Sequence, residues 1–431
     1  MKKESYMIKN KPVIGIIPTY NLVNEDNDPY QDRASFVRMY EEKIYECGGI
    51  PIGLLHQNVE DYLPLCDGYV WPGGPKIWPD FFPVLEDAIK HKKPVLGVCL
   101  GLQAIGSAFN LKEEKEKHPE KSFEEIKQLL KDTDHYLKKL EDPSLHSHYV
   151  TKEIATQDAA RHVIQLKKET LFYKIMRQNE LNVVSLHSFI LPYVAKDVVV
   201  SAISEDDVIE AIEYTKDGAQ ILGVQYHPEL ENTSELFDWL VDACYHKTMF
   251  LVNKQNPIPK DYEPRIMMYH SEYPRCGEES NLSECAMDSW IRLRDFMRSK
   301  GFYIDVESAY RSSEMQREIY ENSKNTYGEE HANIFVARPG YSEHETGLAI
   351  DICMKLDDKW INEFDEGLND CYKLLHRVCA DYGFILRYPE GKEDITGYHY
   401  EPWHLRYLGS LRISRDIMMR KLTLEEYYQE K

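Results

Sequence analysis

The sequence predicts two domains of different mixed class: an N-terminal α/β domain with a parallel sheet flanked by helices, and a C-terminal α+β domain. Three observations carry this expectation. Short apolar runs alternate with amphipathic stretches from Pro12 to about Leu111, the pattern of a sheet covered on both faces. A proline-bearing stretch, Asn253–Pro264, interrupts the chain as a linker would. Beyond it, longer helical patterns are interspersed with short strands. The expected boundaries are 1–250, a linker at 251–264, and 265–431.

In order, Val13–Ile17 reads as a buried strand, residues 33–47 as a helix and Asp67–Trp71 as a strand ending in Gly73-Gly74. Residues 81–91 read as a helix, and Pro94–Val98 as a strand running directly into Cys99. Residues 112–148 break this rhythm. Their density of Lys, Glu and His, with Phe123, Ile126, Leu129 and Leu130 at helical spacing, predicts a surface helical insertion. A solvated structural hairpin is the first expectation for it, and a lid over the neighbouring site the second. Strands are expected again at Val183–Leu186, Val198–Ser201, Val208–Tyr214 and Ile221–Gln225, and a closing helix at 234–247. In the C-terminal domain, helices are expected near 283–300, 312–322 and 368–382.

With 431 residues and 42% hydrophobic content, two packed cores are affordable. The formal charge of −21 excludes a general binder of nucleic acid or of a membrane surface, because phosphate recognition needs a basic face. Nine scattered cysteines without a C-x-x-C pair point to reduced thiols. The run Val13–Ile17 is too short for a signal-peptide core, and no stretch approaches the roughly 20 apolar residues of a membrane helix. The expected compartment is the cytoplasm.

The C-terminal domain carries a metal-type constellation: Ser342-Glu343-His344-Glu345-Thr346-Gly347-Leu348-Ala349-Ile350-Asp351, and later Glu401-Pro402-Trp403-His404. Two imidazoles and a carboxylate suit a catalytic zinc that keeps one position for water. Glu401, three residues before His404, is placed to move a proton without being a ligand. Arg311 could supply positive charge for an oxyanion or a substrate carboxylate. Singly, such histidines are most often surface or satisfied core residues, and an Asp after an apolar run is often a helix cap; the ordered set is what points to chemistry.

That set, with Tyr310-Arg311-Ser312 upstream and Tyr382–Gly391 between, resembles the D-alanyl-D-alanine carboxypeptidase family of zinc peptidases, over about residues 265–425. The nearest likeness is to the vancomycin-resistance D,D-carboxypeptidases and D,D-dipeptidases. The resemblance implies one Zn2+ held by His344, Asp351 and His404, Glu401 as general base, Arg311 as a substrate-binding residue, and Ser342 and Gln316 near the peptide's carboxylate end. Dipeptidase, D,D-carboxypeptidase and L,D-carboxypeptidase activities remain open, since loop shape decides among them.

The N-terminal domain carries a thiol constellation. Gly97-Val98-Cys99-Leu100-Gly101 joins a strand to a helix, and the flanking glycines allow a sharp nucleophile-bearing turn. The helix N-terminus favours negative charge on the sulfur. Tyr226-His227-Pro228-Glu229 ends a strand, where His227 can serve as base and Glu229 can orient it. The Gly74 and Leu100 amides are candidates for an oxyanion hole. The ordinary alternative is a buried cysteine in an apolar turn.

These motifs resemble the class I glutamine amidotransferase superfamily over about residues 12–247, and within it the γ-glutamyl hydrolases. Ile14–Ile16, Gly48–Pro51, Trp71–Gly74, His162-Val163 and Ile209–Glu213 support that subgroup. The resemblance implies a Cys99–His227–Glu229 triad. Three departures bear on substrate: Leu100 where these hydrolases carry Arg, the charged insertion, and Val184-Ser185-Leu186-His187-Ser188 in place of a fuller Asn-Ser-x-His-His-Gln motif. The expected partners are peptides with a terminal D-Ala or a γ-glutamyl linkage. The alternative is an L,D-carboxypeptidase with a non-catalytic N-terminal binding module.

Overall fold

A computed structural model describes residues 11–21, 33–55, 58–140, 148, 161–245, 248–260, 262–273, 280–356, 359–361 and 369–430. The chain divides into two compact units, Lys11–Cys244 and a C-terminal unit beginning at Tyr245.

The N-terminal unit is built on a nine-stranded sheet. Its strands are β1 (Val13–Ile16), β2 (Ile50–Gly53), β3 (Gly68–Trp71), β4 (Val95–Val98), β5 (Arg161–Leu166), β6 (Glu180–Val184), β7 (Val199–Ser204), β8 (Ile209–Tyr214) and β9 (Ile221–Val224), in the order β2-β1-β3-β4-β9-β8-β7-β5-β6. The five strands from β2 to β9 run parallel. β1, β3, β4 and β9 read as apolar runs because both faces are covered: Ile14, Val70, Leu96 and Val224 are fully buried. The expected parallel sheet is therefore a mixed one, because β8, β7, β5 and β6 continue it antiparallel. The connections 205–208 and 215–220 are too short for crossover helices, so the chain turns back on itself.

The flanking helices are α1 (Arg38–Glu46), α2 (Pro83–His91), α3 (Leu100–Lys117), α4 (Phe123–Asp132), α5 (Leu171–Met176) and α6 (Glu235–Ala243). α3 is buried through its first three turns, where Leu102, Ala104 and Ile105 pack with Tyr69, Trp71 and Val95. Burial of a leucine or isoleucine there contributes roughly 2 kcal/mol. The expected insertion starts inside α3 rather than with a new element, since the helix continues unbroken past residue 112. α4 begins with a capping box, the Ser122 hydroxyl accepting from the Glu125 amide and the Glu125 carboxylate accepting from the Ser122 amide. Ile126 and Leu130 then cover Leu111 of α3. The rest of the insertion, apart from His148, lies outside the described residues after 140.

The C-terminal unit holds a five-stranded antiparallel sheet: β10 (Tyr303–Ser308), β11 (Ala349–Leu356), β12 (Lys359–Ile361), β13 (Phe384–Leu386) and β14 (His404–Tyr407), ordered β10-β11-β14-β13 with β12 also on β11. α7 (Glu284–Ser299) packs Trp290, Leu293 and Met297 against Ile304, Ile352 and Leu405. α8 (Ser313–Tyr327) follows β10. The stretch expected to be a linker belongs to this unit from its start: Val252 is fully buried and the Asn253 amide donates to Glu425 at 3.1 Å. The cause is Arg406, fully buried in β14, whose guanidinium must find acceptors and takes the Thr248 and Phe250 carbonyls at 3.0 and 3.1 Å.

Candidate functional site

The register of the C-terminal sheet brings its functional side chains together. Asp351 in β11 lies directly opposite His404, the first residue of β14. His344 sits in a short 3-10 turn, Glu343–Thr346, closed by Gly347 in the left-handed region at φ 68°. A side chain at Gly347 would strike the Ser283 backbone nitrogen, so the turn that aims His344 depends on glycine twice over.

His344 Nδ1 lies 2.7 Å from the Ala309 carbonyl. That acceptor requires Nδ1 to carry the proton and leaves the Nε2 lone pair facing Asp351 Oδ2 at 3.1 Å. His404 turns Nδ1 toward Asp351 Oδ1 at 2.8 Å and Nε2 toward Glu343 Oε2 at 3.6 Å. One donor atom from each of His344, Asp351 and His404 lies within 4.8 Å of the others. Asp351 Oδ1 is buried without a hydrogen-bond partner among the described residues. A His2Asp set whose donor atoms converge in this way fits a divalent zinc-type ion. Burial opposes the charge on Asp351, but His344 and His404 outweigh it and hold the carboxyl well below its usual range.

Glu401 Oε2 stands 3.5 Å from His404 Nδ1, beside the set rather than within it. Burial raises its carboxyl, against the pull of His404, to about 7, where a carboxylate accepts and returns protons near neutrality. Arg311 follows β10; its Nη2 lies 3.5 Å from Asp351 Oδ2, and Ser308 Oγ accepts from Nε and Nη2. Gln316 in α8 donates to the Ala337 carbonyl and keeps a buried Oε1 free of hydrogen bonds among the described residues. These side chains, with Ser342, border one cavity of about 290 Å³.

Sequence reasoning missed the layer beneath. Glu343, 3% exposed, accepts from Arg387 Nε at 2.8 Å and faces Arg406 Nη1 at 3.0 Å, while its other oxygen meets His404. Arg387 is paired in turn by Glu425. This buried lattice sets a fixed negative charge beside the His404 ring, 3.6 Å from Nε2. An arginine at the end of the apolar strand Phe384–Leu386 and another between Leu405 and Tyr407 were the available signal. On the other side, His376 Nε2 contacts the Pro402 carbonyl at 2.9 Å and steadies the approach to His404.

In the N-terminal unit, Cys99 occupies the junction of β4 and α3 at φ 52°, ψ −104°, the strained conformation of an exposed nucleophile. A side chain at Gly101 would lie 1.9 Å from the Trp71 carbonyl oxygen, so helix and strand can approach this closely only at glycine. His227 and Cys99 flank Gly73: a methyl built there would meet His227 Cε1 at 3.1 Å and Cys99 Cβ at 3.4 Å. His227 Nδ1 bonds Glu229 Oε1 at 2.7 Å. Its buried Nε2 has no hydrogen-bond partner among the described residues. Burial works against charge on His227, but Glu229 and the Cys99 sulfur outweigh it and hold the imidazole well above its usual value. Gly74 adjoins Leu100, whose amide opens α3. Tyr40, which sequence reasoning also missed, has its hydroxyl 3.5 Å from the Gly73 amide and beside Glu229.

All eight cysteines among the described residues are free. No helix of the described residues is long and apolar enough to cross a membrane.

Residues 279–410 match the VanY family, D-alanyl-D-alanine carboxypeptidase, and residues 81–229 match peptidase C26. The bifunctional D-Ala-D-Ala dipeptidase and carboxypeptidase VanXYC of Enterococcus gallinarum is 39% identical over 187 residues, 42% of this chain and 93% of VanXYC. YodJ of Bacillus subtilis, described as a carboxypeptidase, is 38% identical over 183 residues; the chain spans 66% of its length, just under two thirds. A glutamine amidotransferase-like protein of Rickettsia prowazekii is 28% identical over 281 residues, 55% of this chain and 99% of that protein. Among solved structures, a variant of the vancomycin-resistance D,D-pentapeptidase VanY in complex with Zn(II) is 33% identical, covering 42% of this chain and 99% of its own at a TM-score of 0.36.

Proposed function

This chain belongs, through its C-terminal unit, to the VanY family of D-alanyl-D-alanine carboxypeptidases, and we propose that it is a zinc-dependent hydrolase releasing or splitting terminal D-alanine of cell-wall-type peptides. The observation that supports this best is the convergence of His344, Asp351 and His404 with Glu401 standing free beside them. Bound there, a divalent zinc ion supplies Lewis acidity to the scissile carbonyl and to a water. Glu401 takes the proton from the attacking water and returns it to the departing amine as the C–N bond breaks. Arg311 offers its guanidinium to the oxyanion or to the peptide carboxylate. At the cavity wall, Ser342 offers its hydroxyl to the carboxylate end, and Gln316 Oε1 is free to accept from a substrate N–H.

The N-terminal unit is proposed as a γ-glutamyl amide hydrolase. Cys99 attacks the amide carbon, His227 passes the thiol proton to the leaving amine, and water then cleaves the thioester with His227 as base. Glu229 holds the His227 ring, and the Gly74 and Leu100 amides receive the oxyanion. Cell-wall stem peptides contain a γ-linked D-glutamate and often a terminal D-alanine, so one chain could dismantle a stem at both bonds. The free cysteines support a reducing compartment such as the cytoplasm.

A substrate panel with zinc content measured in parallel tests both halves. The D-Ala-D-Ala dipeptide, tetrapeptide stem and pentapeptide stem are compared with γ-glutamyl amides. D-Alanine release that follows zinc content supports the first proposal. Absence of any product cut at γ-glutamate from a muropeptide removes the second and leaves the N-terminal unit as a binding module.

A further inference from the structure

Behind the thiol site, three imidazoles surround one carboxylate. Glu210, near the start of β8, is fully buried. Its Oε1 lies 3.4 Å from His148 Nδ1, 3.3 Å from His162 Nε2 and 3.5 Å from His187 Nε2. None of these atoms has a hydrogen-bond partner among the described residues, and neither does the second carboxylate oxygen. The rings of His162 and His187 lie 4.5 and 4.8 Å from that of His148.

The outer contacts decide which atoms point inward. His148 Nε2 is held by the Asp206 carboxylate at 3.0 Å, so its proton sits there and Nδ1 turns a lone pair toward Glu210. His187 Nδ1 faces the Phe189 carbonyl at 3.1 Å, so its Nε2 lone pair also points inward. With the rings neutral, lone pairs of two or more imidazoles and a carboxylate oxygen thus converge in a buried space, an arrangement that a shared proton or a metal ion relieves. Carboxylate and carbonyl partners outside, with lone pairs inside, are how histidine metal ligands are oriented. The spacing agrees: donors about 2.0 Å from a tetrahedral zinc lie about 3.3 Å from one another.

We propose that His148, His162 and Glu210, whose donor atoms lie within 4.8 Å of one another, form a second metal site for a zinc-type divalent ion, with His187 beside it. Two imidazole nitrogens and one carboxylate oxygen favour a borderline transition ion over magnesium or calcium. The ion would tie the end of the 112–148 insertion, through His148, to the segment behind Cys99. That segment touches the thiol site by its backbone: the Leu186 carbonyl lies 4.0 Å from Cys99 Sγ, and the Val184 carbonyl accepts from the His227 amide at 3.0 Å.

The test is metal stoichiometry of the tag-free full chain, loaded with zinc, freed of excess by gel filtration and counted by plasma emission. Two ions per chain are expected, and one in the His344→Ala/His404→Ala chain, which leaves the Glu210 cluster intact. Loaded with cobalt(II), that double variant should show the visible band of a tetrahedral ion. Adding His162→Ala should remove it, with circular dichroism checking that the chain remains folded. One ion in the wild type and none in the double variant would overturn the proposal, as would an ion-free wild type. One ion in both chains would uphold this site while removing zinc from the C-terminal one.

Discussion

Replacing Glu343 by glutamine removes one negative charge from beneath His404 while keeping nearly the same shape. Arg387 loses the carboxylate charge 2.8 Å from its Nε but retains both contacts to Glu425, at 2.7 and 2.9 Å, so the larger loss falls on Arg406 and His404. Arg406 keeps its two carbonyl acceptors but loses the carboxylate 3.0 Å from Nη1. Breaking one partner of a buried ion pair costs about 3–5 kcal/mol. The surviving amide oxygen and carbonyls place this case at the lower end, about 3 kcal/mol. For a unit of this size, that lowers the melting temperature by roughly 6–12 °C. Glutamine also loosens the orientation of the His404 ring, and such outer partners are worth roughly 10–100-fold in metal affinity. Calorimetry of the zinc-free chain reads the first effect, and chelator competition reads the second. Unchanged zinc affinity together with a melting point within about 2 °C of wild type would refute this role for Glu343.

Gly101→Ala places a methyl against the Trp71 backbone oxygen and should destabilise the N-terminal unit by about 3 kcal/mol, read by urea unfolding; a neutral effect would contradict the close packing of α3 on β3. Cys99→Ala should reduce γ-glutamyl amide hydrolysis to background and leave D-alanine release unchanged; residual amide hydrolysis near wild type would exclude Cys99 as nucleophile. Arg311→Gln should lower kcat/KM for D-alanine release by about 100-fold with zinc content unchanged. Loss of zinc in that variant would assign Arg311 to holding Asp351 instead.

The sequence was most informative where chemistry restricts residue types. His344, Asp351, His404 and Glu401 stand at spacings that a strand pair with one turn can close, and β11 and β14 close them. Cys99 was legible for a related reason: glycine on both sides is required by contacts of 1.9 Å and 2.7 Å that any side chain would make. Glu343, Arg387 and Arg406 were not legible as a buried lattice, because a charged residue read singly is a surface residue. The antiparallel half of the large sheet was hidden because apolar runs of four to six residues do not reveal strand direction; only the short connections do. The Glu210 cluster was hidden by separation. Its histidines are spread from 148 to 187, and the pairings of β6 with β5, β5 with β7 and β7 with β8 bring His162 and the segment of His187 toward Glu210.

The most direct measurement is D-alanine release by the purified chain, stripped by chelator, reconstituted with zinc, and compared with its Glu401→Ala variant. Release should vanish on stripping and return with zinc. The variant should bind zinc as the wild type does yet turn over about 100- to 10,000-fold more slowly. Undiminished release from the metal-free chain, or near-normal turnover by a zinc-loaded Glu401→Ala variant, would contradict the zinc-peptidase assignment.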